Sequence, residues 1–363
     1  MLAAVLHGKE DLRMERIPVP RAGEGEIVVR VLAALTCGTD LKVYRRGYHA
    51  MMLKPPIVFG HELAGVVVET GPGVTKFAIG DRVLPMNSAP CDNCYFCRHG
   101  QQNLCDNILF NNGAYAEYMR IPARIVEKNT LLIPGNVPLE HAALTEPLAC
   151  VVNGFETTGA RSGDTMLVIG AGPIGLMFIH VASLRGLKVT AVVKREDQVA
   201  AARRFGAAEV IKFDINGDWI QKIEGPALNG RGSDIVIEAV ASPATWELAV
   251  RLVRRGGVVN FFGGPPKGSM VTLDTNRLHY GDITLKASFH HTPATCAAAF
   301  DLIKSGAFKA ADFITRNAAL DEVPAVFARM MTRSADNRAD IKTAVFPIGY
   351  HPNGSTRSNG SKK

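Results

Sequence analysis

The chain has 363 residues, 47% of them apolar, with a formal net charge of +7. That length fits two domains rather than one small core, and the apolar content argues against global disorder. The longest apolar runs fall short of the eighteen or so residues of a membrane span, and the positive charge reads as solubility plus affinity for small anions. No basic head followed by a long apolar run occurs in MLAAVLHGKEDLRMER, so no signal peptide is expected and the location is read as cytoplasmic.

Residues 1 to about 135 are punctuated by the turn signals PRAGEGE, TGPGV, GDRV, NNGAY and IPGNVP. Between them lie β-branched runs such as EIVVRVLAAL and LAGVVVET, which predict a compact, barrel-like β domain over residues 1–150. The stretch EHAALTEPLACVVNGFETTG switches to helical spacing. Then SGDTMLVIGAGPIGLMFIHVASLRGLKVTAVV reads as strand, glycine turn, helix, strand. Strands at DIVIEAV, GGVVNFFGG and DITLKASF alternate with a helix over PATWELAVRLVRRG. This alternation predicts a doubly wound parallel sheet over residues 151–289, making the chain α/β. Over residues 290–349 a helix at TPATCAAAFDLIKSG leads to IKTAVFP, which is expected to return to the first domain. The Gly-, Ser- and Asn-rich residues 350–363 read as a disordered tail.

Four of the seven cysteines fall in CDNCYFCRHGQQNLC, with the spacing C-x2-C-x2-C-x7-C. In a reducing compartment such a cluster is metal-binding or catalytic more often than disulfide-bonded. Four thiolates can enclose a tetrahedral Zn²⁺ at about 2.3 Å each, leaving no open position, so the site would be structural. The ferredoxin run shares the opening but continues x3-C-P, unlike this loop. A zinc-ribbon nucleic-acid binder is disfavoured, because Arg98 is the loop's one cation among arginines and lysines.

Gly170, Gly172 and Gly175, with Pro173 and Ile174 between, form GxGxxG after an apolar strand and at the start of an apolar helix. The first glycine makes the turn, the second admits a pyrophosphate, and the third permits close helix–strand packing. Where NAD sites usually place a ribose-binding carboxylate, the chain has Val193 followed by Lys194 and Arg195. Two cations suit a 2′-phosphate, so NADP(H) is expected to be preferred over NAD(H). The opposing reading lets Glu196 or Asp197 reach the ribose.

Cys37 in CGTD, His61 and Glu62 in GHEL, and Glu146 in EPLAC supply further ligand types for a zinc with one exchangeable position. Their spacing alone does not unite them. The chain resembles the zinc-dependent medium-chain alcohol dehydrogenases, in particular the sorbitol (L-iditol) and threonine dehydrogenase branch. The resemblance spans residues 1 to about 349 and rests on CGTD, PIVFGHELAGVVVETGPGVTKFAIGDRV, the four-cysteine loop, EPLAC, GAGPIG and HYGDITLKASF. It implies a GroES-like catalytic domain joined to a Rossmann domain, with Cys91, Cys94, Cys97 and Cys105 on a structural zinc. It also implies Cys37, His61, Glu62 and Glu146 around a catalytic zinc, either glutamate acting directly or through water.

The expected chemistry is hydride exchange between a small alcohol or ketone and the nicotinamide, with zinc polarising the substrate oxygen. The resemblance implies that Thr39 begins the proton relay. Family members often continue it with a histidine, where this chain has Lys42. A polyol-like or other secondary alcohol is the expected substrate, with a threonine-type amino alcohol as the alternative. The resemblance also implies a homodimer or homotetramer.

Overall fold

The computed structural model describes residues 1–49, 51–213, 230–332 and 334–347, so the tail expected over 350–363 lies outside the described residues. The chain divides into two compact units. One comprises Met1–Pro147 and the segment from Thr292 onward, and the other is Leu148–His291. Among the described residues no helix is long and apolar enough to cross a membrane.

The first unit opens with a hairpin of β1 (Leu2–Gly8) and β2 (Asp11–Arg16), extended by β4 (Ile57–Val58) beyond β3 (Ile27–Leu35). Helix α1 (Gly38–Arg46) follows β3 and stops at Gly47, whose φ of 84° is the left-handed form that glycine adopts without a Cβ clash. β5 (Leu63–Thr70), β6 (Arg82–Pro85), the pair β7 (Ser88–Ala89) and β8 (Leu109–Phe110), β9 (Tyr118–Ile121) and β10 (Thr130–Leu132) complete this stretch. β3 pairs antiparallel with β5, and two register shifts let its long apolar run curve instead of lying flat. Helix α2 (Thr145–Glu156) carries Glu146 in its first turn.

The second unit holds β11 (Thr165–Ile169), α3 (Pro173–Leu184), β12 (Lys188–Val193), α4 (Glu196–Arg204) and β13 (Glu209–Lys212). β14 (Ser233–Glu238), α5 (Pro243–Leu252), β15 (Val253–Phe261), α6 (Thr275–Gly281) and β16 (Thr284–Ala287) follow. The six strands are all parallel in the order β13-β12-β11-β14-β15-β16. Their near-continuous apolar runs suit a sheet covered on both faces, and Leu167, Ile169, Val192, Val236 and Val259 form its core. The helix expected to run through LVRRG ends at Leu252. There Val253 pairs with Ser233, and Asp234 binds the Arg254 side chain, so the residues after Leu252 join the sheet.

The chain then returns to the first unit through α7 (Pro293–Lys304), β17 (Ile314–Ala319), α8 (Val323–Thr332) and β18 (Lys342–Phe346). β18 inserts between β3 and β17, giving a seven-stranded sheet ordered β10-β6-β5-β3-β18-β17 with β9 on β3. Phe59, Tyr115 and Phe327 meet in the core with ring centroids 5.4–6.0 Å apart, each pair adding about 1 kcal/mol beyond burial.

Candidate functional site

The loop of residues 91–105 has little core of its own: a one-turn helix, Tyr95–Arg98, and a short 3-10 turn, Gln102–Leu104. It brings the Cys91, Cys94, Cys97 and Cys105 sulfurs within 4.8 Å of one another. The Cys91 and Cys105 sulfurs are 3.4 Å apart, far beyond a disulfide bond of about 2.05 Å. A tetrahedral zinc with bonds of about 2.3 Å spaces its sulfurs by about 3.8 Å, which this cluster accommodates. The Asn93 backbone N–H draws the Cys91 thiol down to about 6, whereas burial pushes Cys97 up to about 12. Lys128 ties the loop to the unit by donating to Asp92 Oδ2 at 2.5 Å and the Cys91 carbonyl at 3.4 Å.

A second cluster forms where β3, α1 and β5 meet. Cys37 is the N-cap of α1, its sulfur accepting the Thr39 N–H at 3.4 Å. Cys37, His61 and Glu62 each present a ligand atom within 4.8 Å of the others. His61 Nδ1 lies 2.8 Å from Asp40 Oδ1, and both side chains are buried. Burial alone would lower the His61 pKa. The nearby Asp40 and Cys37 outweigh it, and the net shift is well upward.

Glu62 meets a partner absent from the expected ligand set. Lys342 on β18 donates to both Glu62 oxygens, at 2.7 and 2.5 Å, and to the Thr36 carbonyl at 2.8 Å. Burial pulls the Lys342 pKa down, but Glu62 overrides it and holds the ammonium above the usual lysine value. Glu146 stands outside the trio of mutual neighbours, accepting a hydrogen bond from Asn87 Nδ2 at 3.0 Å. Burial pushes its pKa up to about 7. Thr39 is half-buried in the first turn of α1, while Lys42 on the next turn faces solvent. The trio brings a thiol, an imidazole and a carboxyl within 4.8 Å of one another, a donor set suited to a borderline-soft divalent ion such as Zn²⁺.

In the second unit Gly170 takes φ 99° at the end of β11, and a Cβ on Gly175 would sit 1.8 Å from the Gly170 carbonyl oxygen. At Gly172, the N-cap of α3, an added Cβ meets nothing within 4 Å, so the backbone there is open to a bulky group. Pro173 is the first residue of α3, and Ile174 precedes the close-packed Gly175. The turn therefore fits a pyrophosphate at a helix N-terminus. Val193 ends β12, and Lys194 is exposed. Arg195 donates from Nε and Nη2 to Asp197 at 3.0–3.3 Å. Gln198 accepts from the Lys194 and Arg195 N–H groups at 3.1 Å, and it donates to the Ala171 carbonyl at 3.2 Å. It thereby clips the cationic turn to the glycine turn.

Residues 23–132 match the alcohol dehydrogenase GroES-like domain, and residues 173–305 match the zinc-binding dehydrogenase domain. An L-threonine 3-dehydrogenase of Pyrococcus horikoshii is 36% identical over 268 residues, covering 72% of this chain and 74% of that protein. The chain belongs to the zinc-dependent medium-chain alcohol dehydrogenase family. A Bacillus subtilis sorbitol dehydrogenase is 28% identical across 97% of this dehydrogenase and 98% of its own length. A solved zinc-binding dehydrogenase from Sinorhizobium meliloti, bound to NADP, has a TM-score of 0.86 and 30% identity. That likeness covers 95% of this chain and 99% of that one.

This dehydrogenase is thus a nicotinamide-linked, zinc-dependent oxidoreductase with a GroES-like unit and a Rossmann unit. Three members of its site were not anticipated from sequence. Asp40 lies inside the quoted CGTD motif, but nothing in one dimension aims it at His61. Lys342 carried a faint signal, a cation opening the apolar strand KTAVF. Tyr115 was visible only as part of the NNGAY turn.

Proposed function

We propose that this chain oxidises a polyol-like or other secondary alcohol, or reduces the matching ketone, at a zinc held by Cys37 and His61. The observation that carries this reading is the mutual approach of Cys37, His61 and Glu62 within 4.8 Å. Bound zinc supplies Lewis acidity toward a substrate oxygen, and a bound nicotinamide supplies the hydride acceptor or donor. Asp40 fixes the His61 ring through Nδ1 and leaves Nε2 to face the cation. Lys342 neutralises Glu62, so one carboxylate of the site is compensated by the protein before any cation arrives. Glu146, with its pKa near 7, can stand in either protonation state at neutral pH and serves as a ligand directly or through water. The Thr39 hydroxyl, two residues from Cys37, takes the first step of carrying the substrate proton outward. A second zinc on Cys91, Cys94, Cys97 and Cys105 organises the loop.

Preference for NADP(H) is supported by Lys194 and Arg195 beyond the uncharged strand end at Val193. A homodimer or homotetramer is supported by β16, whose outer edge ends its sheet among the described residues beside exposed Tyr280 and Phe289. A cytoplasmic setting agrees with seven cysteines outside any disulfide. The 36% identity to a threonine dehydrogenase favours an amino alcohol as the second reading of the substrate.

Elemental analysis is expected to give two zinc atoms per chain, and Cys37→Ser is expected to remove one zinc and turnover while keeping the loop zinc. Wild-type protein holding one zinc that survives mild chelation and Cys37→Ser would overturn the catalytic centre. Polyols, amino alcohols and ketones assayed with both nucleotides then decide the substrate. Threonine turnover above every polyol would select the second reading.

A further inference from the structure

The zinc centre proposed above has a third layer behind it. Tyr115 has no exposed surface, and its hydroxyl lies 2.8 Å from Asp40 Oδ2 and 2.9 Å from the Leu35 carbonyl oxygen. Leu35 is two residues before Cys37, and Asp40 is three after it. One phenol O–H, with a single proton to share, thus sits between acceptors on both sides of the cysteine. The other Asp40 oxygen meets His61 Nδ1, so Tyr115, Asp40 and His61 form one buried line.

The ring of Tyr115 also bears on the turn that delivers His61. Gly60 precedes that histidine with φ 89°, and a Cβ there would lie 2.7 Å from the ring. The backbone reinforces the contact. Tyr115 N–H donates to the Phe59 carbonyl at 2.9 Å, and the Gly113 and Ala114 N–H groups donate to the Gly60 carbonyl at 2.8 and 3.1 Å. Hydroxyl, ring and main chain all act on the two segments that carry Cys37 and His61.

We infer that Tyr115 is a positioning residue for the metal centre, its hydroxyl fixing Asp40 so that the His61 ring presents Nε2 to the cation. This rests on the reading of Cys37 and His61 as zinc ligands. A buried carboxylate with one oxygen on His61 and the other on Tyr115 has little rotational freedom. Loss of the hydroxyl releases one of these restraints while leaving the ring on Gly60. Partners of this outer kind commonly change metal affinity by about 10- to 100-fold.

The test is Tyr115→Phe in the full chain, with zinc release followed under a chelator and the Co²⁺-substituted centre followed by its visible absorption. One of two zincs is expected to leave at least about tenfold faster, with an altered cobalt band. The loop zinc should leave at the wild-type rate, reporting that the fold persists. Adding Tyr115→Phe to Asp40→Asn should weaken binding little further, because the hydroxyl acts through Asp40. Wild-type release of both zincs from Tyr115→Phe, or full additivity with Asp40→Asn, overturns the inference. Wild-type protein holding a single zinc that Cys37→Ser leaves in place removes the underlying centre instead, so the two failures are distinct.

Discussion

Removing the Lys342 ammonium should be among the most damaging single changes in the chain. Lys342 is 3% exposed and Glu62 fully buried. Its three N–H donors have three oxygen acceptors, two from Glu62 and one from Thr36. Lys342→Met keeps most of the stem packing and leaves a carboxylate in a low-dielectric interior with its counter-ion gone. Breaking one side of such a pair costs about 3–5 kcal/mol, a large share of the roughly 5–15 kcal/mol that holds a domain together. The deficit should shrink on acidification. An unpaired buried carboxyl has its pKa raised on folding, so its penalty on the folded state is absent below the ordinary carboxyl pKa and grows as pH rises from there to the raised value. Glu62→Gln in the Lys342→Met background should recover much of the loss, since no charge is then stranded. Urea unfolding of zinc-loaded and chelator-treated protein reads all four members of the cycle. A Lys342→Met cost below about 1 kcal/mol, the level of a surface pair, would refute the reasoning.

Asp197→Asn should tighten NADPH binding by about tenfold and leave NADH within a few-fold, because Asp197 and a 2′-phosphate compete for the Arg195 guanidinium. Fluorescence titration at two salt concentrations checks this, and weaker NADH binding with NADPH unchanged would instead assign Asp197 to the ribose hydroxyls. Asp234, whose pKa sits near 2 because Thr165 and Arg254 bond it against the opposing effect of burial, favours the folded state above the ordinary value of 3.8. That contribution fades as pH falls through about 2. Asp234→Asn should therefore cost about 1–2 kcal/mol at pH 7, allowing for partial solvation, with the gap to wild type closing below pH 4 in thermal melts.

Local features carried most of the fold. The β11 strand, glycine turn and α3 helix follow from an apolar run, a GxGxxG motif and an N1 proline, all within a few residues. The four-cysteine loop was equally legible, because its ligands share one short segment. The α5 terminus was misread because helical periodicity continues through LVRR, while the competing tether, Asp234 to Arg254, comes from a neighbouring strand. The Cys37, His61 and Glu62 centre was legible only through family resemblance, since the three meet by folding. Its supports were hidden for the same reason: Lys342 is 280 residues from Glu62, and Tyr115 is 75 from Asp40.

β18 has a consequence for biosynthesis. A ribosome finishes residues 1–147 and then the whole nucleotide unit before it delivers the strand that slots beside β3. Until then Glu62 has no ammonium to face, and the central sheet of the first unit has a gap between β3 and β17. The nucleotide unit can mature on the nascent chain, whereas the proposed metal centre gains its Lys342 support only after β18 has followed that unit. The charge balance around Glu62 is thereby tied to a strand made 280 residues later.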